Sequence, residues 1–212
     1  MELLLALDFI DITGAMELLK EVGDGIDIVE VGTPFVIKEG ITAVKQVHAA
    51  FPNLKVMADL KIMDAGEYEC KMAFEAGADI VTVLGVADDA TIKASVAEAR
   101  RQGAGKYIMI DMIGAADIGK RAAEIDALGV DYICVHTAFD IQETGKNPLD
   151  ELQIVKSVVK NAKTAVAGGI KLSTIDGIVG ENPAIVIVGG GITGQADKRA
   201  TAMEMKKRMG RG

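Results

Sequence analysis

The chain of 212 residues has no tryptophan, only five phenylalanines and three tyrosines, and two histidines. With so few rings, the core must be built from Ala, Val, Ile, Leu and ten methionines. The histidines form no cluster, which excludes a zinc site of the usual kind. The two cysteines, Cys70 and Cys134, have no metal-type spacing and lie in apolar stretches. They read as buried free thiols, which suits a reducing compartment and a cytoplasmic protein. No apolar run approaches the ~18 residues that a membrane span needs. The N-terminal "MELLLALDFID" lacks a basic flank and reaches Asp8 after a short apolar run, so neither a signal peptide nor a span is expected there. Positive charge is also in deficit. A net charge of −8 argues against nucleic acid or an anionic membrane as the main partner. What remains is half hydrophobic and one quarter charged, too apolar for disorder.

Eight short apolar runs recur: 3–8, 26–32, 55–60, 79–85, 106–112, 130–136, 164–169 and 184–190. Most are rich in Val and Ile, as buried strands are. Between them lie segments of helical periodicity such as "GAMELLKEV" and "DDATIKASVAEARRQG", with Thr13 and Asp88 or Asp89 as candidate caps. Eight βα units with no linker predict one domain over residues 1–212. It is a (β/α)8 TIM barrel with an eight-stranded parallel sheet. An open doubly wound sheet is the competing architecture.

In such barrels, chemistry gathers at the carboxyl ends of the strands. Charges at the opposite pole, such as Asp27, Lys55, Asp79 and Lys163, need no role beyond solvation. At the carboxyl ends stand Asp8, Glu30, Asp59, Lys61, Asp111 and His136. Alternation along a strand gives Asp59 and Lys61 one face, and if Ala58 faces the helices both enter the mouth. Glu30 and Asp59 are hard oxygen ligands suited to Mg²⁺ completed by water and substrate oxygens. "AGGIK" (167–171) and "VGGGITG" (188–194) each follow a strand and precede a helix, the usual place of a phosphate grip in this architecture. Gly189, Gly191 and Gly194 fit G-x-G-x-x-G, but no second strand with an acidic residue follows, so a dinucleotide fold is unsupported.

"DLKIMDAG" (59–66) fits the D-x-K-x-x-D motif of the orotidine 5′-monophosphate decarboxylase suprafamily. Within it the chain resembles the 3-hexulose-6-phosphate synthase family, through "LALD" (5–8), "VEVGTP" (29–34), "GADIVTVLG" (77–85), "DALGVDYICVHT" (126–137), "TAVAGGIK" (164–171) and "IVGGGITG" (187–194). The resemblance spans essentially residues 1 to 208. It implies a Mg²⁺-dependent, reversible condensation of formaldehyde with D-ribulose 5-phosphate to D-arabino-hex-3-ulose 6-phosphate, through an enediolate. Glu30 and Asp59 would hold the metal, and His136 would take the C1 proton, a task that suits imidazole. Lys61 would stabilise the enediolate, and Asp8 and Asp111 would orient hydroxyls or Lys61. Gly168, Gly169, Gly190 and Gly191 would bind the phosphate. Asp64 would reach the site of a partner subunit in a homodimer. Glu67 and Glu69 read as charges at a helix N-terminus, and "TAFDIQETGKN" (137–147) as a cover for bound substrate.

The related 3-keto-L-gulonate-6-phosphate decarboxylases carry an Arg soon after the strand 6 histidine and a Glu near the end of strand 5. This chain has Phe139 and Asp140, with no Arg before Lys146, and Asp111. Both differences favour the synthase, with the decarboxylase as alternative. An isomerase or epimerase would need a second acid–base group opposite the one histidine. A non-enzymatic sugar-phosphate sensor would not need Asp59, Lys61 and His136 together.

Overall fold

The computed structural model describes residues 1–144 and 148–210. Its strands are β1 (Glu2–Leu7), β2 (Ile28–Val31), β3 (Lys55–Ile62), β4 (Ile80–Leu84), β5 (Tyr107–Asp111), β6 (Tyr132–His136), β7 (Lys163–Ala167) and β8 (Ile185–Val188). Each pairs in parallel with the next, and β1 pairs with β8 to close the barrel. The eight predicted strands are all present. The closed order excludes the open sheet.

The strands are apolar on both faces because both faces are covered. Outward residues such as Val29, Val56, Ala58, Val81 and Ile133 join the core beneath the helices. Inward residues Leu4, Ile28, Met57, Ile80, Met109 and Cys134 fill the barrel itself. Two positions further along four of these strands the inward residue turns polar: Glu30, Asp59, Thr82 and Asp111 are all buried. Period-two alternation therefore stacks a polar tier on an apolar floor.

The helices are α1 (Ile12–Val22), α2 (Thr33–Glu39), α3 (Thr42–Ala50), α4 (Gly66–Glu75), α5 (Asp89–Gln102), α6 (Ile118–Asp126), α7 (Pro148–Val158), α8 (Ile175–Gly180), α9 (Gly190–Thr193) and α10 (Lys198–Met209). Two features exceed a plain eightfold repeat: β2 leads into two helices, and β8 into the single-turn α9 before α10. The cap of α1 is Asp11, which accepts from Gly14 N at 2.8 Å, and not Thr13, which lies inside the helix. Asp88 precedes α5 without a side-chain cap bond, and Asp89 instead pairs with Arg121 at 2.8 Å.

The charges at the amino-terminal pole are more than solvated. Asp27 accepts from Leu3 N at 2.9 Å, Asp79 from Val56 N at 3.0 Å and Asp131 from Ile108 N at 2.8 Å. Each aspartate stands just before an even strand and ties down the second residue of the odd strand beside it. The three are spaced 52 residues apart. The equivalent position before β8 is Ala184. Each carboxylate also meets a cation: Lys206 at 2.7 Å, Lys106 at 3.1 Å and Arg100 at 2.9 Å respectively.

Asp79→Ala removes one such tie and leaves a strand-end N–H without its acceptor. The expected loss is about 1–3 kcal/mol of unfolding free energy, read from the denaturant midpoint at unchanged slope. Lys55→Ala, whose partner Glu2 lies at an exposed rim, is the control and should stay within about 0.5 kcal/mol of wild type.

Candidate active site

The polar tier opens into a cavity of about 770 Å³ at the carboxyl pole, lined by Asp8, Glu30, Asp59, Lys61, Asp111, His136 and both glycine loops. Of the predicted site residues, Asp64 alone does not line it. Asp64 is exposed, and its carboxylate accepts from Ala65 N at 2.7 Å.

Asp59 and Lys61 do share the mouth, but alternation explains only the first. Asp59 follows the inward period, with Ala58 outward as expected. At Lys61 the pairing register with β4 shifts, and the residue adopts φ +49°. This left-handed conformation costs a side-chain-bearing residue about 1–2 kcal/mol. It is held by Lys61 N donating to Thr82 Oγ1 at 2.9 Å. The Lys61 ammonium pairs with Asp59 Oδ2, lies 3.6 Å from Asp111 Oδ2 and donates to Thr33 Oγ1 at 3.1 Å. Thr82 Oγ1 in turn donates to Asp59 Oδ1, and Thr33 Oγ1 lies against Asp59 Oδ2, both at 2.8 Å.

The electrostatics follow from these contacts. Burial alone would raise the Asp59 pKa, but the Lys61 charge and the bonds from Lys61, Thr82 and Thr33 together lower it. Burial would likewise depress Lys61, yet the Asp59 and Asp111 charges raise it, so its ammonium is permanent. At Glu30 the Lys61 charge also pulls downward but is outweighed. Burial, then the charges of Asp59 and Asp8, push its pKa well above the ordinary value. Asp8 is raised for the same reasons, less strongly, with Lys61 and His136 opposing.

Glu30 Oε2 is buried without a hydrogen-bond partner. An orphaned carboxylate oxygen beside a second carboxylate fits a hard divalent cation. No group of three or more metal-ligating side chains occurs among the described residues. The protein's share of a metal shell would therefore be Glu30 and Asp59, with water or substrate oxygens supplying the rest.

Asp111 lies beside Lys61, as expected, and makes a second, closer contact. Its Oδ2 sits 2.8 Å from His136 Nδ1, and its Oδ1 accepts from Ile113 N at 2.9 Å. An ionised carboxylate only accepts, so Nδ1 carries a hydrogen toward Asp111, and Nε2 is the ring nitrogen left for other partners. His48, by contrast, lies on α3 packed against Gly77, far from this pole in the fold.

The two glycine loops are pressed together. A Cβ on Gly168 would stand 2.3 Å from Thr137 O, and one on Gly191 2.2 Å from Ile170 O. Only glycine allows the β7 loop to meet the end of β6, and the β8 loop to meet the β7 loop. Gly190 has open space around it, and α9 begins there. Glu67 and Glu69 fall in the first turn of α4, as predicted. Of the predicted cover, a tight 3-10 turn spans Phe139–Thr144, and residues 145–147 lie outside the described residues. Phe139 and Phe9 are exposed and meet edge to face at 5.4 Å beside the cavity.

Sequence reading missed Thr33 and Thr82. Thr82 carried a signal, being the one polar residue in the apolar run of β4, at an inward position. Thr33 carried none, since its part depends on α2 starting directly at the end of β2.

A profile of the orotidine 5′-phosphate decarboxylase / HUMPS family matches residues 1–205. The chain is 61% identical over 207 residues to the 3-hexulose-6-phosphate synthase of Bacillus subtilis (strain 168), covering 98% of each. It superposes on the crystal structure of 3-hexulose-6-phosphate synthase from Salmonella typhimurium with a TM-score of 0.96 and 40% identity, over 100% of this chain and 99% of that one. A 3-keto-L-gulonate-6-phosphate decarboxylase from Vibrio cholerae gives a TM-score of 0.87 at 28% identity, over 99% of this chain and 97% of that one.

Glu30's raised pKa has a sign that can be checked. The folded chain keeps a proton that the unfolded chain releases in the ordinary glutamate range. This group's contribution to stability is therefore full below that range and is lost as pH rises toward the folded value. In metal-free buffer, Glu30→Gln should melt above wild type at neutral and alkaline pH. The gain should vanish near pH ~4, as followed by thermal denaturation across pH.

Proposed function

The chain belongs to the orotidine 5′-phosphate decarboxylase / HUMPS family, and from that premise we propose that its barrel mouth joins formaldehyde to D-ribulose 5-phosphate, reversibly, giving D-arabino-hex-3-ulose 6-phosphate. It is a carbon–carbon lyase. The observation that carries the mechanism is the His136–Asp111 contact of 2.8 Å, which leaves a basic Nε2 on a residue lining the cavity.

With Asp111 fixing the tautomer, His136 Nε2 takes the proton from C1 of the sugar phosphate. The charge left on the enediolate lies near the permanent Lys61 ammonium, which stabilises it. Glu30 and Asp59 are the residues that would hold a Mg²⁺ ion, whose Lewis acidity would add to that stabilisation. C1 then forms the new bond to the formaldehyde carbon, and the imidazolium of His136 returns its proton to the oxygen that was the aldehyde's. Asp8 lines the same cavity and is placed to hold a substrate hydroxyl. The backbone of Gly168, Gly169, Gly190 and Gly191 receives the phosphate.

The reading extends to a homodimer in which Asp64 serves the partner's cavity. Supporting it, Asp64 is exposed and outside its own cavity, and Met63 and Tyr68 beside it expose 54% and 66% of their surface. An exposed apolar surface of this kind marks a contact face.

The purified protein should consume formaldehyde only with ribulose 5-phosphate present. Excess EDTA or His136→Ala should each abolish the consumption. Loss of formaldehyde that persists in His136→Ala would remove the imidazole from the mechanism. No loss with folded wild-type protein would sink the aldol reading. Asp111→Asn keeps the shape but lets an amide favour the wrong tautomer. Its kcat should fall by about a hundredfold or more, with KM for the sugar phosphate changing far less.

A further inference from the structure

Among the described residues, the lining side chains of basic type are Lys61, Lys171 and His136, against Asp8, Glu30, Asp59, Asp111 and Asp140. His136 is tied to Asp111 and Lys61 to Asp59. Lys171 lines the same cavity, and among the described residues its ammonium is left without a carboxylate. Its backbone is not loose. Lys171 N donates to Thr174 Oγ1 at 3.0 Å, and Lys171 O accepts from Thr174 N at 3.0 Å and Ile175 N at 2.9 Å. The residue before it, Ile170, is buried, and its carbonyl lies where a Cβ on Gly191 would fall. The chain thus leaves the junction of the two glycine loops in a fixed direction, with the Lys171 cation as its next side chain.

A phosphate dianion approaching this acidic mouth meets net repulsion, and backbone N–H groups carry only partial charges. We propose that Lys171 is the side-chain cation of the sugar-phosphate site, clamping the phosphate from the rim of the β7 loop while the glycines hold it from below. The assignment rests on the sugar-phosphate reading given above. Lys171 acts on binding and not on the reacting carbon, so its removal should appear in KM and not in kcat.

The test is Lys171→Met, with Lys171→Arg as the charge-conserving control. Lys171 is exposed, so both variants should melt with wild type. Lys171→Met should raise KM for ribulose 5-phosphate by about ten- to a hundredfold, leave kcat within about twofold, and weaken inorganic phosphate binding by a similar factor. Lys171→Arg should recover most of both. Phosphate binding is measured by calorimetry on the whole protein without turnover, so it judges Lys171 even where no aldol activity is found. Phosphate affinity and KM that stay within twofold of wild type in Lys171→Met would overturn the assignment. So would a loss confined to kcat.

Discussion

The Lys61 ammonium lies against Asp59 and 3.6 Å from Asp111, and the rest of the mouth depends on that placement. Carboxylates brought together below the surface repel one another, and each loses hydration. One fixed cation among them lets Asp59 stay ionised. Burial, and then the repulsion left over, raise the pKa values of Glu30 and Asp8. Placing the cation there requires a left-handed backbone at Lys61 and a break in β-pairing. Thr82 serves both needs, accepting from the strained peptide N–H and donating to the carboxylate the lysine faces. Local strain is thus held by the same residue that benefits from it.

The barrel supplies the remaining geometry through alternation. Ile28 and Glu30, Met57 and Asp59, Ile80 and Thr82, and Met109 and Asp111 are successive inward positions of four neighbouring strands. A slip of one residue in any of them would bury a polar group, charged in three of the four, against the helices and turn an aliphatic side chain into the cavity. The apolar floor therefore fixes the register, and the register fixes the site. Cys134 belongs to this floor, where burial and then the carboxylates above it keep its thiol protonated.

Strand count and order were legible because eight apolar runs alternate with helical periodicity. The pole bearing the chemistry followed from where the unusual residues fall along each run. Glu30, Asp59, Lys61, Asp111, His136 and the glycines all meet at one cavity. Partnerships were less legible. Asp111 was expected near a hydroxyl or Lys61 and does lie 3.6 Å from Lys61, but its closer contact with His136 went unread, because cross-strand neighbours depend on stagger that one sequence does not reveal. The bulge at Lys61 left no mark in the period. Thr13 lost the cap of α1 to Asp11, whose carboxylate reaches the N–H three residues on. The aspartates of the far pole were read as solvated because their acceptor role needs a neighbouring strand to exist first.

Those aspartates divide the barrel. Asp27, Asp79 and Asp131 each staple an odd strand to the even strand after it, making three clamped quarters from β1 to β6. The fourth quarter, β7 with β8, has Ala184 where the staple would stand. There Ala184 N donates to Thr164 O at 2.8 Å, a backbone bond without the aspartate's second tie. This least-clamped quarter also carries both glycine loops. A ligand held between those loops would close the quarter from the opposite pole, so occupancy and the cooperativity of unfolding become coupled in this part of the ring. At its amino-terminal pole the barrel is thus a ring of three stapled quarters and one, beneath the glycine loops, without that staple.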